Sequence, residues 1–216
     1  MRKILILIAG LSVDSAAAAP LDCDALKKTS IPFEIAFDFT SNRPGQELVA
    51  LPMRRQVRRA GAETFVYDIM SGNYTLNKLT RGLMTETYSS LTKTRRTASY
   101  SIKLSKDYLA AAQPFQFKVV VRNKDGTAFI TWDSNYVFNG ETDIDLGGCN
   151  FRLTKMVRTN KGRMDGKNGE SRIEIWYSPE LKVGLYSLIE SQGGVINENT
   201  ARGITTSFTP VAPAPQ

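Results

Sequence analysis

The chain has 216 residues, 28 lysines and arginines against 21 aspartates and glutamates, a formal net charge of +7 and no histidine. A chain of this length buries one full hydrophobic core, and 42% hydrophobic with 23% charged residues excludes a disordered or fibrous chain. Without histidine it cannot build a Ser-His-Asp or Cys-His triad, and it lacks the commonest metal ligand. The expectation is a protein that is not an enzyme and carries neither cofactor nor metal.

Arg2 and Lys3 precede an apolar run, Ile4 to Leu11, and the small residues Ala16 to Ala19 follow. A short basic region, an apolar stretch of this length and an A-x-A exit describe a secretory signal peptide. The run is well short of the roughly 20 residues that span a bilayer. Cleavage is expected after Ala18, giving a leader of residues 1–18 and a periplasmic mature protein. Losing Arg2, Lys3 and Asp14 with the leader leaves a net charge of +6. Cys23 follows closely, but Leu21 and the acidic Asp22 before it argue against a lipidated cysteine. Cys23 and Cys149 are the only two cysteines, and an oxidising compartment favours a disulfide between them. That bridge would close a loop of more than a hundred residues and pin the mature N-terminus, contributing about 4–5 kcal/mol.

From Pro32 onward the dominant period is two. Phe33, Ile35, Phe37 and Phe39 alternate with Glu34, Ala36 and Asp38. The same alternation returns at Phe65-Tyr67-Ile69, Ala98-Tyr100-Ile102-Leu104, Phe115-Phe117-Val119-Val121, Ala128-Ile130-Trp132, Phe151-Leu153, Ile173-Ile175-Tyr177 and Ile204-Thr206-Phe208. It describes half-buried strands with one wet face. Ser71-Gly72-Asn73, Lys124-Asp125-Gly126, Asn139-Gly140 and the segment from Gly166 to Gly169 punctuate the runs as hairpin turns. One short helix is predicted over Ser105–Gln113, stopped by Pro114. The fold class is therefore all-β with minor α: a curved antiparallel sheet of about 11–12 strands, forming an open or half-closed barrel. Residues 19–209 form a single domain, and 210–216 are a disordered, exposed Pro/Ala tail.

The hairpins YDIMSGNYTL and LTRGLM, the strand-rich middle and the closing IEIWYSPELKVGLYSLIE resemble uncharacterised Gram-negative periplasmic envelope proteins. These are related in architecture to the lipoprotein carriers LolA and LolB and to envelope-integrity proteins with a spiral β-sheet. The most specific piece is Ile173 to Pro179, with Trp176-Tyr177 before the proline. The resemblance implies a curved antiparallel sheet around a central helix or hydrophobic groove, without enzymatic activity.

Three residue sets are candidates for function. Phe65, Tyr67, Tyr74, Leu83, Tyr100, Phe117, Trp132, Phe151 and Trp176 could line a groove for a lipid or lipidated ligand, since such pockets need mostly apolar walls. The same aromatics would equally fill a core. Arg54, Arg55, Arg58 and Arg59, with Lys93, Arg95 and Arg96, form a basic patch. Arginines on both faces of one strand suggest an exposed edge or a protruding hairpin, where charge also blunts aggregation. An anionic envelope partner, peptidoglycan or another envelope protein would suit it, and an exported protein rarely meets nucleic acid. Glu141, Asp143 and Asp145 lie on one side of a strand, with Asp133 close before them. Paired carboxylates could serve a glycan hydrolase or calcium, but NGETDIDLGG lacks the spacing of a calcium loop. The leading expectation is a non-enzymatic envelope protein that binds a hydrophobic or amphiphilic component and supports envelope integrity; the alternative is a scaffold docking through its arginines.

Overall fold

The computed structural model describes residues 21–28 and 31–211. The expected leader and most of the Pro/Ala tail lie outside these residues. One helix, α1 (Cys23–Lys28), precedes twelve strands: β1 (Phe33–Asn42), β2 (Val49–Ala60), β3 (Glu63–Met70), β4 (Asn73–Thr80), β5 (Leu83–Ser89), β6 (Thr94–Tyr100), β7 (Phe115–Asn123), β8 (Ala128–Leu146), β9 (Cys149–Met164), β10 (Lys167–Ser178), β11 (Val183–Ser191) and β12 (Val195–Thr205). Every strand pairs antiparallel with its neighbours in sequence, and β1 pairs β12 to close the barrel. The sheet is thus an up-and-down meander. Closure goes further than the open or half-closed sheet expected from the sequence, and it removes both free edges at once.

Three expectations are corrected. Asn139-Gly140 is no hairpin turn but part of a bulge inside β8. β2, which carries the four clustered arginines, is no edge strand; it pairs β1 on one side and β3 on the other. The short helix lies at 23–28, while 105–113 is a chain of bends and turns. There the Asp107 carboxylate takes the Ala110 amide hydrogen and Ala112 sits at φ 51, so local side-chain bonding and a left-handed residue replace the helical ladder.

Two apolar cores fill the protein. The first joins Phe33, Ile35 and Phe37 of β1 to Met53, Val57, Val66, Leu181, Val183, Leu185 and Leu26 of α1. The second gathers Leu83, Leu109, Phe117, Val119, Val121, Tyr136, Met156 and Tyr177. β9 serves both. Cys149, Phe151 and Leu153 bury its odd-numbered face in the first core, whereas Met156 buries the even-numbered face in the second. The switch is possible because β8 and β9 outrun their neighbours: β7 reaches only Tyr136 and β10 only Thr154. The rest of the hairpin pairs with itself, past a bulge between Phe138 and Glu141. Bulges increase local twist, and here the twisted tip turns its other face onto the first core. The Cys23–Cys149 disulfide, with Cα atoms 5.4 Å apart, fastens α1 to this tip.

Several outward strand faces carry charge. Arg202 meets Asp38 at 2.6 Å, Arg172 meets Glu190 at 2.9 Å and Lys161 meets Glu170 at 2.9 Å, all largely exposed. A lipid-facing barrel would present an apolar band at these positions. No helix among the described residues is long and apolar enough to cross a membrane.

Candidate functional site

A concavity of about 1440 Å³ is lined by β7 to β11, Ser101 and Gln192. Its charged lining residues are Lys118, Lys161 and Arg172 against Asp133, Glu170 and Glu190, and amides come from Gln116, Asn135, Asn168 and Gln192. Strand alternation puts most of these side chains on one face. Gln116 and Lys118 flank buried Phe117, Asp133 and Asn135 flank buried Ser134, and Thr159 and Lys161 flank buried Asn160. The groove therefore lies across the sheet from the second core. Register then zips the charges: Lys118 Nζ lies 3.7 Å from Asp133 Oδ1, Asp133 is paired opposite Lys161, and Lys161 meets Glu170. Three cations balance three carboxylates, so the groove carries charge without a dominant sign.

Behind it lies a buried polar knot. Asn160 is 2% exposed; its Oδ1 accepts from Ser134 Oγ at 2.7 Å and Arg158 Nε at 2.6 Å. Its Nδ2 donates to Ser171 Oγ at 2.9 Å. Satisfied polar networks of this kind hold one geometry, because any slip strands a buried donor. The knot ties β8, β9 and β10 together at the groove's floor.

The nine aromatic and aliphatic candidates do not converge on this groove. Leu83 and Phe117 are buried in the second core, with Tyr100 and Trp132 packed against it. Phe151 is buried in the first core and Trp176 packs on that core. Of the nine, only Phe117 touches the groove lining. Phe65, Tyr67 and Tyr74 lie on the other face of β3 and β4 from buried Val66. There Tyr67 and Tyr74 are 5.9 Å apart, Tyr74 and Tyr88 6.1 Å apart, and Lys78 covers the Phe65 ring. Burial and the neighbouring rings push the Tyr74 hydroxyl pKa up. Space inside the second core is about 10 Å³, beside Tyr108 and Phe115, close to what one water needs.

The arginine cluster divides by face. Arg55 grips Asp68 through Nε and Nη2 at 2.6 and 3.2 Å, donates to the Gly184 carbonyl and lies over the Phe37 ring. Arg59 donates to the carbonyls of Glu180 and Leu26 and lies over Phe33. These two brace the barrel. Arg54 faces outward toward Glu34 at 3.6 Å, and Arg58 is exposed. Lys93 is an exposed turn residue at φ 56; Arg95 pairs Glu86, and Arg96 donates to Asn123 and stacks on Phe129. Glu141, Asp143 and Asp145 are exposed on the hairpin tip, where Asp145 accepts from the Gly148 amide. No cluster of metal-ligating side chains occurs among the described residues.

The charged groove was missed by sequence reasoning because its residues come from five separate strands. Only strand register lines up Lys118, Asp133, Lys161 and Glu170.

No protein-family model matches the chain, and no curated protein sequence is similar to it. Among solved structures, it is similar to the hypothetical lipoprotein YmcC of Escherichia coli K12, with 11% identity and TM-score 0.45, covering 89% of this chain and 92% of that one. An exported protein with a YmcC-like fold from Bacteroides fragilis gives 7% identity and TM-score 0.38, covering 80% and 95%. A domain described as outer membrane lipoprotein-sorting, from Vibrio parahaemolyticus, gives 9% identity and TM-score 0.36, covering 85% and 88%. At such identities and scores they assign this chain no family and no ligand.

Proposed function

We propose that this protein is an exported, non-enzymatic envelope protein that holds a hydrophilic chain molecule, a glycan, in the groove of β7–β11. The observation that carries the reading is the lining: amides, hydroxyls and evenly mixed charges along a concavity of about 1440 Å³. Ligand sites need few, well-placed polar groups to set orientation. Sugar hydroxyls both donate and accept, and a surface rich in amides, carboxylates and guanidinium answers both. Balanced charge disfavours a strongly charged polymer.

The test is titration calorimetry of the mature protein with neutral and mildly acidic oligosaccharides, including peptidoglycan-derived glycan strands. Replacing Asn135 and Arg172 with alanine should weaken binding about tenfold with little change in melting temperature. If no oligosaccharide binds at millimolar concentration, the reading fails.

An amphiphilic ligand is the second reading, favoured by the half-exposed Tyr67–Tyr74 pair beside Tyr88. It expects lipid to co-purify in native mass spectrometry, and its absence would remove it.

A further inference from the structure

At the barrel end formed by the β2–β3, β4–β5 and β10–β11 turns lies a second hollow, a cleft of about 450 Å³. Its walls carry Lys27, Lys28, Arg59, Arg81 and Lys182 against only Asp107 and Glu180. Both carboxylates are already engaged. Asp107 Oδ2 accepts from Tyr177 Oη at 3.0 Å and Lys182 Nζ at 3.2 Å, and its Oδ1 accepts from the Ala110 amide. Glu180 Oε1 lies 3.5 Å from Lys27 Nζ, and its Oε2 accepts from the Arg152 amide. Lys28 also meets Asp24 on α1 at 3.0 Å, which leaves the cleft an excess of two positive charges, in contrast to the balanced groove.

The walls are held in place rather than draped. The Arg81 amide donates to the Ala62 carbonyl at 3.1 Å, joining two turns. Arg59 ties α1 to the β10–β11 turn through Leu26 and Glu180, and the disulfide holds the start of α1. Like charges kept together in a concave site raise its potential and draw in an anion. Burial already depresses the Arg59 guanidinium pKa, a strain that a bound anion would relieve.

We propose that this cleft binds a phosphate-bearing anion. A carboxylate brings one negative charge, whereas a phosphate monoester brings nearly two at neutral pH and three acceptor oxygens suited to guanidinium forks. The volume is that of a small-ligand site, with room for a phosphate and an attached glycerol- or sugar-sized group. The phosphate is that of a soluble ester or of a lipid headgroup.

Two probes separate these sources: glycerol 3-phosphate in titration calorimetry, and phosphatidic acid vesicles against phosphatidylcholine vesicles in flotation. Binding of the soluble probe alone assigns an ester; binding of the acidic vesicles, with or without it, assigns a headgroup. In each case the Lys28→Ser, Arg81→Asn double variant should lose about tenfold in affinity. Asn tolerates the left-handed backbone of Arg81, at φ 53. The Lys28 side chain is 73% exposed, so Lys28→Ser alone gives a weaker form of the same result should the double variant melt early. Lys124→Ser, on the exposed β7–β8 turn outside both sites, should leave the affinity for either probe unchanged. Failure of both probes at millimolar concentration, or affinity unaltered by these variants, overturns the proposal and leaves the glycan reading untouched.

Discussion

Gly162 shows how much one residue decides. Its φ is +152°, and a β-carbon there would stand 2.1 Å from the Thr131 carbonyl oxygen, far inside van der Waals contact. Gly162 faces Trp132 across the β8–β9 ladder and lines the groove. Gly162→Ala must push β8 and β9 apart, and we expect a loss of about 2–4 kcal/mol in urea unfolding. Tyr100 and Tyr177 are a second case. Burial raises both hydroxyl pKa values above 10, with Asp107 adding to the effect at Tyr177. Both therefore keep their protons in the folded state at a pH where the unfolded chain has lost them. Their contribution is complete below about pH 10 and is lost as pH rises beyond it. The urea midpoint should fall between pH 9 and pH 11, and Tyr100→Phe with Tyr177→Phe should flatten that fall. An equal slope in the double variant would show that other groups govern alkaline unfolding.

Among the elements, the β8–β9 hairpin has most to explain. Its shared root belongs to the barrel wall, while its tip pairs with itself, buries Phe151 and Leu153 in the first core and is fastened to α1 by sulfur. With 126 residues separating the cysteines, the chain-entropy model credits the bridge with about 5 kcal/mol. Reduction should lower the melting temperature markedly. It should also loosen α1, with Lys27 and Lys28, before the barrel itself opens, because α1 has only six residues and belongs to no strand ladder. Hydrogen exchange in reductant should find 23–28 and the hairpin tip exchanging ahead of β1 to β4; simultaneous exchange would contradict this. The chain end is another element that context reshapes. Gln56 bonds the Thr209 carbonyl and the Val211 amide, so the exposed tail expected from Pro210 is held to β2 through Val211.

For the whole molecule, charge placement separates the two proposed sites. The groove is balanced and the end cleft is not, so salt should weaken phosphate binding strongly and glycan binding little. Much of the architecture was readable beforehand. Alternation at Phe33-Ile35-Phe37 and Phe115-Phe117-Val119 identifies strands because a pleated chain exposes every second side chain to the same surroundings. Two cysteines behind a leader-like N-terminus made their pairing the economical reading. Local pattern could not say that β1 meets β12, since that contact depends on twist summed over the whole sheet. Nor could it separate Arg55 from Arg54 in role: period two puts them on opposite faces, but only packing shows which face meets Asp68 and Phe37. The sequence by itself determined most of the strands, some of the turns and the presence of a core, but it read the Asn139-Gly140 bulge inside β8 as a turn. Tertiary structure alone decided closure, the change of buried face along β9, and the assembly of charges from five strands into one groove, because register and curvature are properties of neighbours that no single segment contains.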